Sequence, residues 1–148
     1  MINIKQELEI AKKASEIAAA LLTDNKDSIN KILSNEGRDV KLKADLESEK
    51  VIKEYLLANS NFPILAEESG ANQDLGNSFW VVDPLDGTSN YSRDFPMCCI
   101  SIALIYEKEI TLGVINDFNR GMLYEGSTES KAKMNGKDIF VSSIHHKS

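Results

Sequence analysis

Between Asn3 and Leu22 the apolar residues Ile4, Leu8, Ala11, Ala14 or Ile17, Ala18 and Leu21 recur at helical spacing, with Lys12, Lys13 and Glu16 between them. That period predicts an amphipathic first helix with one face in the core. The polar stretch Thr23 to Ser28 ends it. A short apolar group around Ile29, Ile32 and Leu33 follows, and Asn35-Glu36-Gly37-Arg38-Asp39 reads as a loop. A second helix is expected to open near Asp45, because an acidic residue favours a helix start. Leu46, Val51, Ile52, Tyr55 and Leu56 then line one side of it until Asn59-Ser60-Asn61.

Beyond that point the period changes. The segments around Ile64 to Ala66, Ser78 to Val82, Cys98 to Tyr106, Ile110 to Phe118 and Met122 to Tyr124 are short and rich in strand formers. Polar turns separate the later ones at Tyr106 to Ile110 and Asn119-Arg120-Gly121, and Asn135-Gly136 is a type I′ hairpin signal between Lys133 and Ile139. Consecutive hairpins imply an antiparallel sheet. The fold class expected is therefore α+β, with two N-terminal helices packed on one face of an antiparallel sheet.

The 148 residues, 42% hydrophobic and 27% charged, suit one globular domain with a sizeable core and exclude disordered and collagen-like classes. Cys98 and Cys99 are adjacent in an apolar run, where alternate side chains face opposite ways, so they read as packing residues in a reducing compartment. The net charge of −6 opposes binding to nucleic acid or an anionic membrane. The N-terminus has no signal-peptide pattern and no apolar run reaches membrane-spanning length, so a cytoplasmic location is expected. An acidic protein still takes an anionic small molecule if its carboxylates hold divalent metal, because the ion inverts the local charge.

Chemistry concentrates in Phe79-Trp80-Val81-Val82-Asp83-Pro84-Leu85-Asp86-Gly87-Thr88-Ser89-Asn90-Tyr91, where a strand runs into a turn crowded with oxygen ligands. Pro84 stiffens that turn, and Asp83, Asp86 and the Leu85 carbonyl can converge on a hard cation such as Mg²⁺. Gly87 permits close backbone approach, and the N–H groups of Gly87 and Thr88 can open a short helix that receives a phosphate. Alone, such a turn is more often solvated than catalytic. A second cluster, Ile64-Leu65-Ala66-Glu67-Glu68-Ser69-Gly70, also places carboxylates at a strand end. If the two strands are neighbours, Glu67 joins Asp83 on one metal and Glu68 orients a water or a second ion. Spacing excludes the haloacid-dehalogenase pattern, which has one residue between its two aspartates where two stand here. It excludes an EF-hand as well, because Asp94 occupies the place of the closing Glu.

Glu67-Glu68-Ser69, Trp80 to Tyr91, Phe95-Pro96 and Ser101-Ile102-Ala103 together resemble the inositol monophosphatase family of Mg²⁺-dependent, lithium-sensitive phosphatases. The likeness extends upstream to Lys41-Leu42-Lys43-Ala44-Asp45 and downstream through Leu112-Gly113-Val114-Ile115 to Met134-Asn135-Gly136-Lys137. The Lys41 to Asp45 wording and Asp117-Phe118-Asn119-Arg120 lean toward 3′(2′),5′-bisphosphate nucleotidases. The resemblance implies that Glu67, Asp83 and the Leu85 carbonyl hold a first metal and that Asp83 with Asp86 holds a second. Two or three Mg²⁺ ions, replaceable by Mn²⁺, are implied. Gly87 and Thr88 would seat the phosphate. Asp45, accepting the Thr88 hydroxyl, would make that oxygen a better acceptor for the proton of the attacking water, so Asp45, Glu67 and Thr88 are the implied catalytic residues. The substrate would be a small phosphate monoester, an inositol phosphate or a nucleotide.

Members of this family are longer, with an α/β domain after the Asn-Gly hairpin that supplies a further aspartate from a Trp-Asp motif. The only tryptophan here is Trp80, so residues 1–148 are expected to be the N-terminal α+β domain with the C-terminal domain absent. That expectation keeps open a second class of function: a silent module that binds metal, phosphate or a partner. Association with another copy or another chain through an exposed sheet edge is also expected. Asp94 stands where a glycine is usual before Phe-Pro, which predicts strain in that turn. His145 and His146 read as a tail without a role, and Lys41 or Lys43 as phosphate contacts at most.

Overall fold

The computed structural model describes residues 1–36 and 39–143, with the backbone alone at 34–36 and 39–41. Helix α1 (Ile4–Asp24) opens on an Asn3 cap whose side chain accepts the Gln6 N–H, and its Ala11, Ala14, Ala18 and Leu22 are fully buried. Small alanines on that stripe let the helix approach the sheet closely. A single turn, α2 (Lys26–Ile29), follows instead of a plain polar stop, and then a two-stranded antiparallel ribbon of β1 (Ile32–Glu36) and β2 (Asp39–Leu42). The segment Asn35 to Asp39, expected as a loop, thus contributes strand backbone at Asn35, Glu36 and Asp39, while Gly37 and Arg38 lie outside the described residues.

Helix α3 (Lys43–Asn59) begins two residues before Asp45, which is its third residue. The Asp45 carboxylate accepts the Leu42 N–H at 2.8 Å, so the acid that marks the helix start also satisfies one of the donors the helix leaves open.

The main sheet joins β3 (Ile64–Ala66), β4 (Gly70–Ala71), β5 (Phe79–Asp86), β6 (Cys99–Tyr106), β7 (Glu109–Asp117), β8 (Met122–Ser127), β9 (Ser130–Met134) and β10 (Lys137–Asp138), in the order β10-β9-β8-β7-β6-β5-β3-β4. The sheet is antiparallel except at one place. β3 and β5 run parallel, with Ile64 opposite Trp80 and Ala66 opposite Val82. The sheet departs there from the expected antiparallel pattern because the chain between β3 and β5 makes β4 on the far side of β3, then a bend and a turn, before re-entering the sheet. The Asn135-Gly136 turn has positive φ at both residues, 49° and 78°, as a type I′ hairpin requires.

Helices α1 and α3 cover one face. Trp80, Val82, Ile100, Ile102, Leu104, Leu112 and Val114 bury themselves against them, and Trp80 Nε1 donates to Ser60 Oγ at 3.1 Å. Among the described residues no helix covers the opposite face: Ala103, Gly113 and Gly126 stand in register across β6, β7 and β8, with Ile110 and Ile115 exposed. Both edge strands of the main sheet, β4 and β10, are two residues long, and exposed Phe140 and Val141 follow β10. Among the described residues no helix is long and apolar enough to cross a membrane.

Candidate functional site

The parallel pairing of β3 with β5 makes both strands end at the same level. Glu67 follows β3 directly, and its N–H donates to Val82 O at 3.0 Å, which places it beside Asp83. The ladder of β5 with β6 breaks between Asp83 and Asp86, where the strand bulges around Pro84 and Leu85 before Asp86 pairs with Cys99. The oxygen-rich segment therefore lies within an irregular strand end and not in a turn after it. Bulges re-aim side chains, and this one separates the two aspartates. Asp83 Oδ1 accepts the Leu85 N–H at 3.2 Å, whereas Asp86 is exposed and takes a long contact of 3.8 Å from the Cys99 thiol.

The Glu67 and Asp83 carboxyls are neighbours, and Asp83 disfavours negative charge on Glu67. Partial burial, the Asp83 carboxyl and the negative charge of Glu68 push Glu67 up to about 7. Burial also raises Asp83. Glu67 still reaches solvent, so repulsion between neighbouring carboxylates weighs heavily in its shift. Among the described residues no group of three or more His, Cys, Asp or Glu forms a ready metal cage. The donor set is nonetheless hard oxygen throughout: two facing carboxyls, a neighbouring aspartate and the Leu85 carbonyl. A carboxyl whose charge is disfavoured by neighbouring carboxylates is a site where a cation offsets that repulsion, so these residues fit Mg²⁺ or Mn²⁺.

Gly87 holds φ at +87° and caps α4 (Thr88–Ser92). A Cβ there would lie 2.6 Å from the Met97 carbonyl oxygen, which Asn90 Nδ2 also holds at 2.7 Å, so only glycine fits. Thr88 Oγ1 lies 2.8 Å from Asp45 Oδ1 and 3.0 Å from the Leu85 carbonyl. One hydroxyl proton cannot serve both acceptors, and the charged, nearer Asp45 is the stronger. Asp45 is 1% exposed, and burial raises its pKa against the lowering effect of the Thr88 and Leu42 bonds. Tyr91 anchors α4 by donating to Leu22 O at 2.7 Å. Asp94 adopts φ 59°, the left-handed conformation expected where a glycine is usual, and Lys26 pairs with it at 2.6 Å.

Sequence reasoning missed two residues. Ser48, fully buried, donates to the Pro84 carbonyl at 2.7 Å, and Glu49, 4% exposed, accepts the Glu68 N–H at 2.8 Å. With Asp45 they stand at i, i+3 and i+4, on one face of α3. The available signal was polar residues on a stripe that should face the core. His145 and His146 lie outside the described residues, as does the side chain of Lys41.

A sequence model of the inositol monophosphatase family matches residues 3–148. An inositol-1-monophosphatase of Synechocystis is 35% identical over 139 residues, which take in 91% of this chain and 48% of the relative. A fructose-1,6-bisphosphatase/inositol-1-monophosphatase of Aquifex aeolicus is 34% identical over 146 residues, covering 95% and 54%. The solved inositol monophosphatase of Anabaena superposes with a TM-score of 0.80 at 31% identity, over 97% of this chain and 52% of that one. The chain thus spans about half the length of these relatives. By the match of almost its whole length, it belongs to the inositol monophosphatase family.

Proposed function

We propose that this cluster serves a Mg²⁺-dependent phosphomonoesterase acting on a small phosphorylated metabolite. The observation that carries the reading is the Thr88 hydroxyl held 2.8 Å from buried Asp45, beside the Glu67 and Asp83 carboxyls at the paired strand ends. Glu67, Asp83 and the Leu85 carbonyl would hold one ion, and Asp83 with Asp86 a second, while Glu68 would orient water or further solvent around them. Mg²⁺ bound there would neutralise the phosphate oxygens, ease deprotonation of a water and stabilise the leaving oxygen. The rest falls to the chain. The N–H groups that open α4 at Gly87 and Thr88 seat the phosphate. Thr88, with its own proton turned to Asp45, offers its oxygen lone pairs to the proton of the attacking water. Asp45, whose burial already favours the protonated form, is poised to receive the hydroxyl proton in turn. No Ser, Cys or His nucleophile takes part.

Phosphate release from inositol 1-phosphate, fructose 1,6-bisphosphate and adenosine 3′,5′-bisphosphate, measured with excess Mg²⁺, tests the reading. Turnover that Asp83→Asn abolishes is the expected result. A second reading, a module that binds cation and phosphate without turnover, is favoured by the exposure of Asp86, which leaves the second ion thinly held. Mg²⁺-dependent phosphate binding with no release from any of the three compounds would select it.

A further inference from the structure

We infer that Glu49 is a positioning residue for the cation site, an inference that rests on the metal reading of Glu67 and Asp83. Glu67 lies in a tight turn between β3 and β4, where Ala66 and Gly70 are the last paired residues, so no strand ladder fixes residues 67 to 69. Two backbone donors hold that turn from outside. The Glu67 N–H is fixed by Val82 O on β5, and the next donor, the Glu68 N–H, is fixed by Glu49 Oε2 on α3. The Glu68 nitrogen shares a peptide plane with the Glu67 carbonyl, so holding it sets the Glu67 backbone torsion and thereby the direction of its side chain. Glu49 is itself held. Lys53 lies 3.7 Å from its other oxygen and donates to Ser69 Oγ at 2.7 Å, closing a clamp around the turn. Glu49 is buried and reaches the Glu68 backbone, so its effect on a cation passes through the Glu67 geometry. Partners that orient metal ligands from behind alter affinity without touching the ion.

The test is a Mn²⁺ titration of the full chain, read by loss of the free-ion electron paramagnetic resonance signal, beside thermal unfolding in EDTA. Glu49→Ala is expected to weaken Mn²⁺ binding by about 10- to 100-fold. Glu49→Gln, whose amide oxygen accepts the same N–H, is expected to bind like the unaltered chain. Should Glu49→Ala fail to fold, Glu49→Asp supplies the same test, because it keeps the charge and shortens the reach, and weakened binding by a folded chain is the expected result. Unchanged Mn²⁺ affinity in Glu49→Ala, or in Glu49→Asp where that variant stands in, overturns the inference, whatever the change in melting temperature. Equal weakening in Glu49→Gln and Glu49→Ala overturns it also, because charge and not position would then be at work. An unaltered chain that binds no Mn²⁺ overturns the metal reading itself, and this inference with it.

Discussion

Four acids around the candidate site divide into two pairs. Asp45 and Glu49 on α3 are almost wholly buried, and each accepts hydrogen bonds from backbone or hydroxyl donors: Leu42 N–H and Thr88 O–H for the first, Glu68 N–H for the second. Glu67 and Asp83, at the ends of paired strands, lie beside each other, and burial and neighbouring carboxyls raise the pKa of Glu67. The first group is compensated within the fold and sets its shape. The second has one backbone donor, the Leu85 N–H on Asp83, and otherwise crowded negative charge that a cation can offset, and that imbalance is the chemistry the site offers.

The largest effect on the fold should come from the compensated group. Asp45→Ala strips the Leu42 N–H and Thr88 O–H of their acceptor and should cost about 1–3 kcal/mol, read by urea denaturation. Asp45→Asn keeps an acceptor for Leu42, so it should recover most of that stability while phosphate release stays low. An Asp45→Ala chain as stable as the parent would erase the distinction between the groups.

Glu67→Gln should act in the opposite sense. The Glu67 pKa is raised from 4.5 to about 7 in the folded chain, so the metal-free fold binds an extra proton relative to the unfolded chain between those values. The stability tied to that proton is complete below about 4.5 and is lost as pH rises through about 7. In EDTA, Glu67→Gln should therefore lose less stability than the parent as pH rises from about 5 to about 7. With Mn²⁺ added at neutral pH, the parent should gain melting temperature by mass action and the variant should not. A variant that keeps the full Mn²⁺ shift would remove Glu67 from the metal site.

The smallest change belongs to Asp86, which is exposed and has one long contact to Cys99. Asp86→Asn should alter metal-free stability by less than about 0.5 kcal/mol. It should also reduce the Mn²⁺ shift less than Asp83→Asn does. Equal losses would place the two aspartates on the same footing.

Local pattern carried much of this site. Asp83-Pro84, the Gly87 that only a missing Cβ allows beside Met97, and Thr88 at a helix start are short-range features readable along the chain, and Glu67 ends a short apolar run in the same manner. For Ser48 and Glu49 the chain showed only that two polar residues fall on the core-facing stripe of α3, and what they hold was hidden until the partner carbonyl and N–H were known. The bulge at Pro84 was hidden for a similar reason: it exists relative to β6, and pairing partners are not encoded in either strand alone.

The sequence by itself determined the helical and strand periods, the two helices before a sheet, the type I′ turn at Asn135-Gly136 and the supply of oxygen ligands at two strand ends. Each depends on contacts within a few residues. Only the tertiary structure decided that β3 lies parallel to β5, which brings Glu67 against Asp83, and that α3 crosses behind both with Asp45, Ser48 and Glu49. Those placements follow from burying Trp80, Ile64 and Ile52 in one core, a long-range choice made by packing and closed by hydrogen bonds between distant segments.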